Sequence, residues 1–90
     1  MPRTIVRAGR FKGDYKRMKR RGKDMSKILR LMTMLADEEP LEPKHRDHPL
    51  VGPYVGRREC HVEPDWLLIY KFEPGVIIFE RTGTHSDLFG

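Results

Sequence analysis

Residues 57–70 read Arg-Arg-Glu-Cys-His-Val-Glu-Pro-Asp-Trp-Leu-Leu-Ile-Tyr, two strand-like runs around a tight turn crowded with ionisable and aromatic groups. His61 and Asp65 lie in this stretch. Two more histidines flank it, His48 in Asp47-His48-Pro49-Leu50 and His85 in Thr84-His85-Ser86. Imidazole, with an unperturbed pKa of about 6.5, gives or takes a proton near neutrality. RNA carries its own nucleophile, the 2′-hydroxyl. Cutting it without a metal needs a base to take the hydroxyl proton. It also needs cations to hold the pentavalent phosphorane and an acid to protonate the leaving 5′-oxygen. His48, His61 and His85 suit the proton transfers, and Asp65 suits orienting an imidazole. Arg81, near a strand end, suits the phosphoryl oxygens. Trp66 and Phe89 can stack on unpaired bases.

Each of these residues also has a plainer reading. His48 can brace a loop, His61 can be a surface residue of its strand, and His85 can sit solvated in a tail. Asp65 after Pro64 is ordinary turn chemistry. Trp66 opens an apolar strand and can be core. Arg81 can pair with Glu80 or an acidic loop residue, and His45 reads as a surface residue. A metal site is the weaker alternative, since no His-x3-His or Cys-x2-Cys spacing occurs. Cys60 and His61 are neighbours, so in a strand they point to opposite faces. That puts Cys60 on the apolar side and argues against a cysteine nucleophile. Ser86 lacks the strained elbow that a serine nucleophile needs.

The charge distribution favours a polyanionic partner. The 90 residues carry a net charge of +5. Residues 1–30 hold 12 Lys/Arg against Asp14 and Asp24, a net of +10, whereas residues 31–90 are net −5. Such a patch attracts phosphate backbones through counterion release. A solvated helix face and a grip on an acidic partner protein are the other readings. Ninety residues suit a single domain. No apolar run approaches a membrane span, and the N-terminus lacks the apolar core of a secretory signal. One cysteine fits a reducing cytoplasm.

The elements that must carry these groups follow from periodicity. Residues 3–8 suggest a short strand and residues 10–21 a basic helix with Phe11, Tyr15 and Met18 as its apolar stripe. Gly22 suits a left-handed cap. Asp24 can cap a second helix to about Asp37, with Met25, Ile28, Leu29, Met32, Leu35 and Ala36 as a broad buried stripe. Residues 37–49 read as a loop, Leu50-Val51 as a short strand, and residues 57–63, 66–72 and 76–81 as strands separated by Pro64-Asp65 and Glu73-Pro74-Gly75. Residues 84–90 read as a tail. In residues 57–63 alternation places Arg57, Glu59, His61 and Glu63 on one face. The order β-α-α-β-β-β-β implies an α+β fold. The N-terminal strand and helical hairpin would cover one face of a mainly antiparallel four- to five-stranded sheet, leaving the other face open for polar groups.

Four segments together resemble the YafQ-type toxins of bacterial toxin–antitoxin modules, within the RelE/ParE superfamily. They are Lys19-Arg20-Arg21-Gly22-Lys23-Asp24, Asp47-His48-Pro49-Leu50, the run from His61 through Trp66 to Lys71, and Glu80-Arg81-Thr82-Gly83-Thr84-His85-Ser86-Asp87-Leu88-Phe89. The resemblance spans roughly Arg3 to Gly90. It implies a RelE-like domain acting as a ribosome-dependent endoribonuclease that cuts mRNA in the ribosomal A site and arrests translation, with no metal or organic cofactor. It implies His48, His61, Asp65 and His85 as catalytic residues and Trp66, Arg81 and Phe89 as RNA contacts. A cognate antitoxin would wrap and inhibit the toxin, and operator DNA would be bound only through that complex. The basic helix, through Lys16, Arg17, Lys19, Arg20 and Arg21, would grip ribosomal RNA. Two departures stand out: Gly13 replaces a longer residue inside the first helix, and Pro53 occupies a variable turn. Some relatives on this fold inhibit DNA gyrase and cut nothing. The three-histidine set separates the two functions, because gyrase-directed relatives do not need it.

Overall fold

Trp66 to Tyr70 are all buried, so this apolar run forms the middle of a sheet. A computed structural model describes residues 2–90. Its elements are β1 (Thr4–Arg7), α1 (Gly9–Arg20), α2 (Met25–Ala36), β2 (His48–Pro49), β3 (Arg58–Glu63), β4 (Trp66–Glu73), β5 (Val76–Gly83) and α3 (His85–Phe89), with short 3-10 turns at Pro43–His45 and Gly52–Tyr54. The sheet order is β1-β5-β4-β3-β2. β2 to β5 run antiparallel, and β1 adds to β5 in parallel, which the intervening helical hairpin allows. The α+β expectation is met, with helices packed on a mixed five-stranded sheet.

One face of the sheet carries Cys60, Leu68, Tyr70, Ile77 and Phe79. These pack with Phe11 and Met18 of α1 and Ile28, Leu31, Met32 and Leu35 of α2. The hairpin turns at Gly22, whose φ of +83° favours glycine. Asp24 then caps α2, its carboxylate accepting from the Ser26 backbone N–H at 3.0 Å. The opposite face carries a smaller apolar patch, Leu67 and Ile69 with Leu88 of α3, against which Leu50 and Tyr54 pack.

Three local expectations are corrected. The short strand is His48–Pro49, not Leu50-Val51, and it pairs with β3 at the sheet edge, where a proline's missing N–H costs no ladder bond. The tail is a helical turn: the Thr84 hydroxyl accepts from the Asp87 N–H at 3.1 Å, and the Asp87 carboxylate accepts from the Thr84 N–H at 2.9 Å. Thr84-x-x-Asp87 is a capping-box spacing, so the signal was in the chain. Finally, β3 bulges between His61 and Glu63. The extra residue turns Glu63 off the histidine face, where it takes Lys23 at 2.9 Å and Lys27 at 2.8 Å. Those two lysines, Lys27 foremost, hold the Glu63 carboxyl below its usual range.

Candidate active site

Cross-strand register builds the site. His61 of β3 lies opposite Leu67 of β4, and Leu67 opposite Gly83 of β5. The next row on the same face runs His48, Glu59, Ile69, Arg81 from β2 to β5. His48 and His61 are therefore neighbours because β2 pairs where it does. Gly83 sends the chain back over the sheet end into α3, which starts at His85. A Cβ at Gly83 would sit 2.9 Å from the Asp87 Cβ and from its Oδ2, and that carboxylate is held from both sides, so glycine is required.

The three imidazoles form a row. The ring centroids of His48 and His61 are 6.4 Å apart, and those of His61 and His85 are 5.9 Å apart. Asp65, in the β3–β4 turn, accepts from His85 twice: from the backbone N–H at 2.9 Å and from Nδ1 at 2.5 Å. These two bonds hold the Asp65 carboxyl below its usual range. With Nδ1–H given to Asp65, the Nε2 of His85 is left for chemistry. His48 Nδ1 faces the Arg46 carbonyl at 2.5 Å and His61 Nδ1 faces the Pro64 carbonyl at 3.3 Å. A carbonyl only accepts, so both rings carry Nδ1–H.

The second nitrogens of His48 and His61 converge on one group that sequence reasoning passed over. Glu59 Oε1 lies 3.6 Å from His48 Nε2 and 3.4 Å from His61 Nε2. Glu59 is 5% exposed, and among the described residues its side chain meets these two rings. Alternation along residues 57–63 placed it on the His61 face, and β2 pairing added His48. A second contributor was also missed. His45 is half-buried, and its Nδ1 donates to the His61 carbonyl at 2.7 Å, fixing the 3-10 turn of Pro43–His45 against β3. Behind the row, Tyr70 donates to Asp47, the residue before His48, and Arg58 Nε reaches the same carboxylate at 3.4 Å. Burial raises the Tyr70 phenol well above its usual range, so it stays a donor.

The remaining expected residues divide. Phe89 is about half exposed and meets Tyr54 edge-on at 5.5 Å, leaving it free to stack. Trp66 is a correction: it is fully buried on the helix-covered side, and its indole N–H donates to Thr82 Oγ1 at 2.9 Å. The turn at Pro64-Asp65 does not expose it, because the bulge leaves Trp66 opposite Glu63 and facing inward. Trp66→Phe is thus expected to lower unfolding stability by about 1–2 kcal/mol through the missing buried hydrogen bond. RNA affinity should stay within twofold; a fall confined to RNA affinity would restore the stacking role.

Arg81 is not a free cation. Its Nε donates to Asp14 Oδ2 at 2.6 Å and its Nη2 to Oδ1 at 3.3 Å. Asp14 hydrogen bonds raise the Arg81 pKa further. Nη1 keeps no hydrogen bond among the described residues. Two of the expected ribosome contacts are likewise engaged: Arg17 with Asp14 at 3.1 Å and Arg21 with Asp87 through a bidentate pair at 2.6 and 3.0 Å. Lys16, Lys19 and Arg20 remain exposed. The Arg21 pair, chiefly, holds the Asp87 carboxyl far below its usual range. A depressed carboxyl contributes its full stability above the unfolded pKa of about 4 and loses it as pH falls toward the folded value. The anchoring of α3 therefore persists across neutral and mildly acidic pH. Cys60 is fully buried and burial raises its thiol well above the usual range, so it is no nucleophile at neutral pH. Among the described residues, no three His, Cys, Asp or Glu side chains are arranged to hold a metal ion. No helix among them is long and apolar enough to cross a membrane.

This architecture has known counterparts. The family model for the bacterial toxin of type II toxin–antitoxin system, YafQ, matches residues 3–90. The chain is 48% identical over 89 residues to the mRNA interferase toxin YafQ of Escherichia coli K12, covering 98% of this chain and 97% of that protein. The crystal structure of YafQ from E. coli BL21(DE3) superposes with a TM-score of 0.93 at 47% identity, over 98% of this chain and 99% of that one. The E. coli DinJ-YafQ toxin-antitoxin complex gives a TM-score of 0.91 at 47% identity over the full length of both chains.

Proposed function

Because this chain belongs to the YafQ family of bacterial type II toxins, we propose that it is an mRNA interferase, an endoribonuclease that cuts mRNA on the ribosome by metal-independent attack of the ribose 2′-hydroxyl. The observation that carries the reading is the row of three imidazoles braced by Glu59 and Asp65. In-line attack puts the entering 2′-oxygen and the leaving 5′-oxygen on opposite sides of phosphorus. His48 and His85 are the ends of the row, so they take the base and acid roles between them. His61, in the middle, donates to the phosphoryl oxygens. Glu59 sits where a proton on either His48 or His61 is stabilised by its carboxylate. Arg81 Nη1 adds a fixed cation, and Phe89 stacks on a base, worth about 1–3 kcal/mol.

The partners follow from the same premise. A cognate antitoxin binds and inhibits the chain, and operator DNA is reached through that complex. The ribosome is gripped by the exposed cations of α1, and the chain works in the cytoplasm. Replacing Lys16, Lys19 and Arg20 together with Ala should lower the slope of log affinity against log salt by roughly 2 to 3, about 0.7–0.9 for each phosphate no longer neutralised. An unchanged slope would move ribosome binding to another surface. The test of the reaction is purified protein with programmed ribosomes and 5′-end mapping. The expected products are mRNA fragments ending at A-site codons, with a 2′,3′-cyclic phosphate and a 5′-hydroxyl. Intact mRNA together with stalled DNA supercoiling would move the chain to the gyrase-directed class.

A further inference from the structure

A cavity of about 300 Å3 opens on the histidine-bearing face of the sheet, at the β5 end of the row that runs from His48 through Glu59 and Ile69 to Arg81. Ile69 forms its floor and packs there with Leu67, Leu88 and Tyr54. Pro53 and Tyr54 form one wall. The Tyr54 hydroxyl donates to the Leu88 carbonyl at 3.4 Å, and its ring meets Phe89 edge-on. The start of α1, Ala8 to Arg10, forms the other wall, pinned to β5 by the Ala8 N–H on the Phe79 carbonyl at 3.0 Å. The volume is at the lower end of the range of about 300–1,000 Å3 for ligand sites, which suits one unit of a longer polymer.

Three guanidinium groups line this cavity against one carboxylate. Arg57 takes that carboxylate, its Nε donating to Glu80 Oε1 at 2.5 Å. Arg81 gives Nε and Nη2 to Asp14 and keeps Nη1 unbonded among the described residues. The Asp14 hydrogen bonds raise its pKa most, and the Tyr54 phenol adds to the rise, so the guanidinium lies within electrostatic reach of the Tyr54 wall. Arg10 is exposed and makes no hydrogen bond or ion pair among the described residues. The first turn of α1 holds no acidic residue to oppose it. With Glu80 neutralised, Arg10 and Arg81 Nη1 are left to take an anion, and a phosphate matches guanidinium donors. Tyr54 and Ile69 supply the aromatic and apolar surface that a nucleotide covers. Continuity decides which phosphate. Arg81 belongs both to this cavity and to the row that holds His48, so a strand lying on the histidines reaches the cavity next.

Resting on the ribonuclease reading, we propose that this cavity holds the mRNA phosphate next to the cut linkage, on the side away from the histidines, and that Arg10 is its cation. Arg81 then stands between two successive phosphates, and Tyr54 backs the nucleotide that joins them.

The test uses mRNA in which one phosphate is replaced by an uncharged methylphosphonate, one linkage to either side of the cut. On programmed ribosomes, the replacement on one side only should raise the wild-type KM roughly tenfold, with kcat within twofold. Arg10→Glu should show the same rise on unmodified mRNA, and the replacement should then cost it less than twofold. Arg10 has no partner to lose, and a glutamate suits the first turn of a helix, so the thermal midpoint should not fall. A non-cleavable 2′-O-methyl trinucleotide, titrated into 15N-labelled protein, reads the site without the reaction. The Gly9 and Arg10 amides should shift. Those shifts in a wild-type protein that cuts no mRNA would keep the phosphate site and sink the ribonuclease reading. Cutting with no amide shift, or with a methylphosphonate penalty that is absent on both sides or undiminished in Arg10→Glu, would sink the subsite alone. So would an Arg10→Glu variant that cuts with wild-type KM and loses only antitoxin affinity, which would give the cavity to the antitoxin.

Discussion

His85→Ala is expected to slow mRNA cutting by about 10²–10⁴-fold, the range for a positioned general acid or base. Unfolding stability should stay within about 0.5 kcal/mol of wild type. The two halves of this expectation come from different atoms. The His85 ring is more than half exposed, so truncation opens no core cavity. Its backbone N–H donates to Asp65 at 2.9 Å and survives the substitution, as does the capping box that shapes α3. Only the imidazole and its Nε2 are removed. Single-turnover cutting on programmed ribosomes reads the first half, and urea unfolding reads the second. A slowing under tenfold, with folding intact, would remove His85 from the proton transfers. The reaction would then have to run on His48 and His61 with Glu59.

Asp14→Ala is expected to lower unfolding stability by about 3–5 kcal/mol, the cost of leaving a buried charge without its partner. A domain of this size has a total of about 5–15 kcal/mol, so the variant stands near the edge of folding. Asp14 is 6% exposed in the middle of α1 and accepts from Arg17, from two nitrogens of Arg81 and from the Thr82 N–H. Arg81 is itself 14% exposed along its side chain, and Arg17 Nε is already buried without a partner. Removing the carboxylate leaves two guanidinium groups facing one another beside β5. Thermal and urea unfolding measure the effect; a change below about 1 kcal/mol would show that water replaces Asp14 there. Asp14→Asn should fall between, since the amide oxygen still accepts while the charge is gone. In Asp14→Ala Arg81 loses both of its hydrogen bonds to that side chain, so cutting should fall even where folding survives.

Much of this protein can be read along the chain because its signals are local. Alternation in residues 57–63, the apolar run of β4, the stripe of α2, the Asp24 cap and the turn at Pro64-Asp65 depend on residues a few positions apart. They fix faces and ends, and so they place His61 and Asp65 without any knowledge of the rest. The long motifs around His61 and His85 carried the family in the same way. The reading failed where a single residue changed the register. The bulge at Glu63 turned that carboxylate toward Lys23 and Lys27, and Trp66 went to the core in company with Thr82.

What residue order determined was the set of elements, the basic face and the list of groups able to move protons. Folding decided which of those groups meet. Glu59 gained its second histidine because β2 pairs with β3 at His48, eleven residues upstream, in a register that no local pattern encodes. Arg81 gave up most of its freedom to Asp14, 67 residues away. Charge partners of this kind are fixed by the packing of helix on sheet, and packing distances are not written in the spacing of residues along a chain.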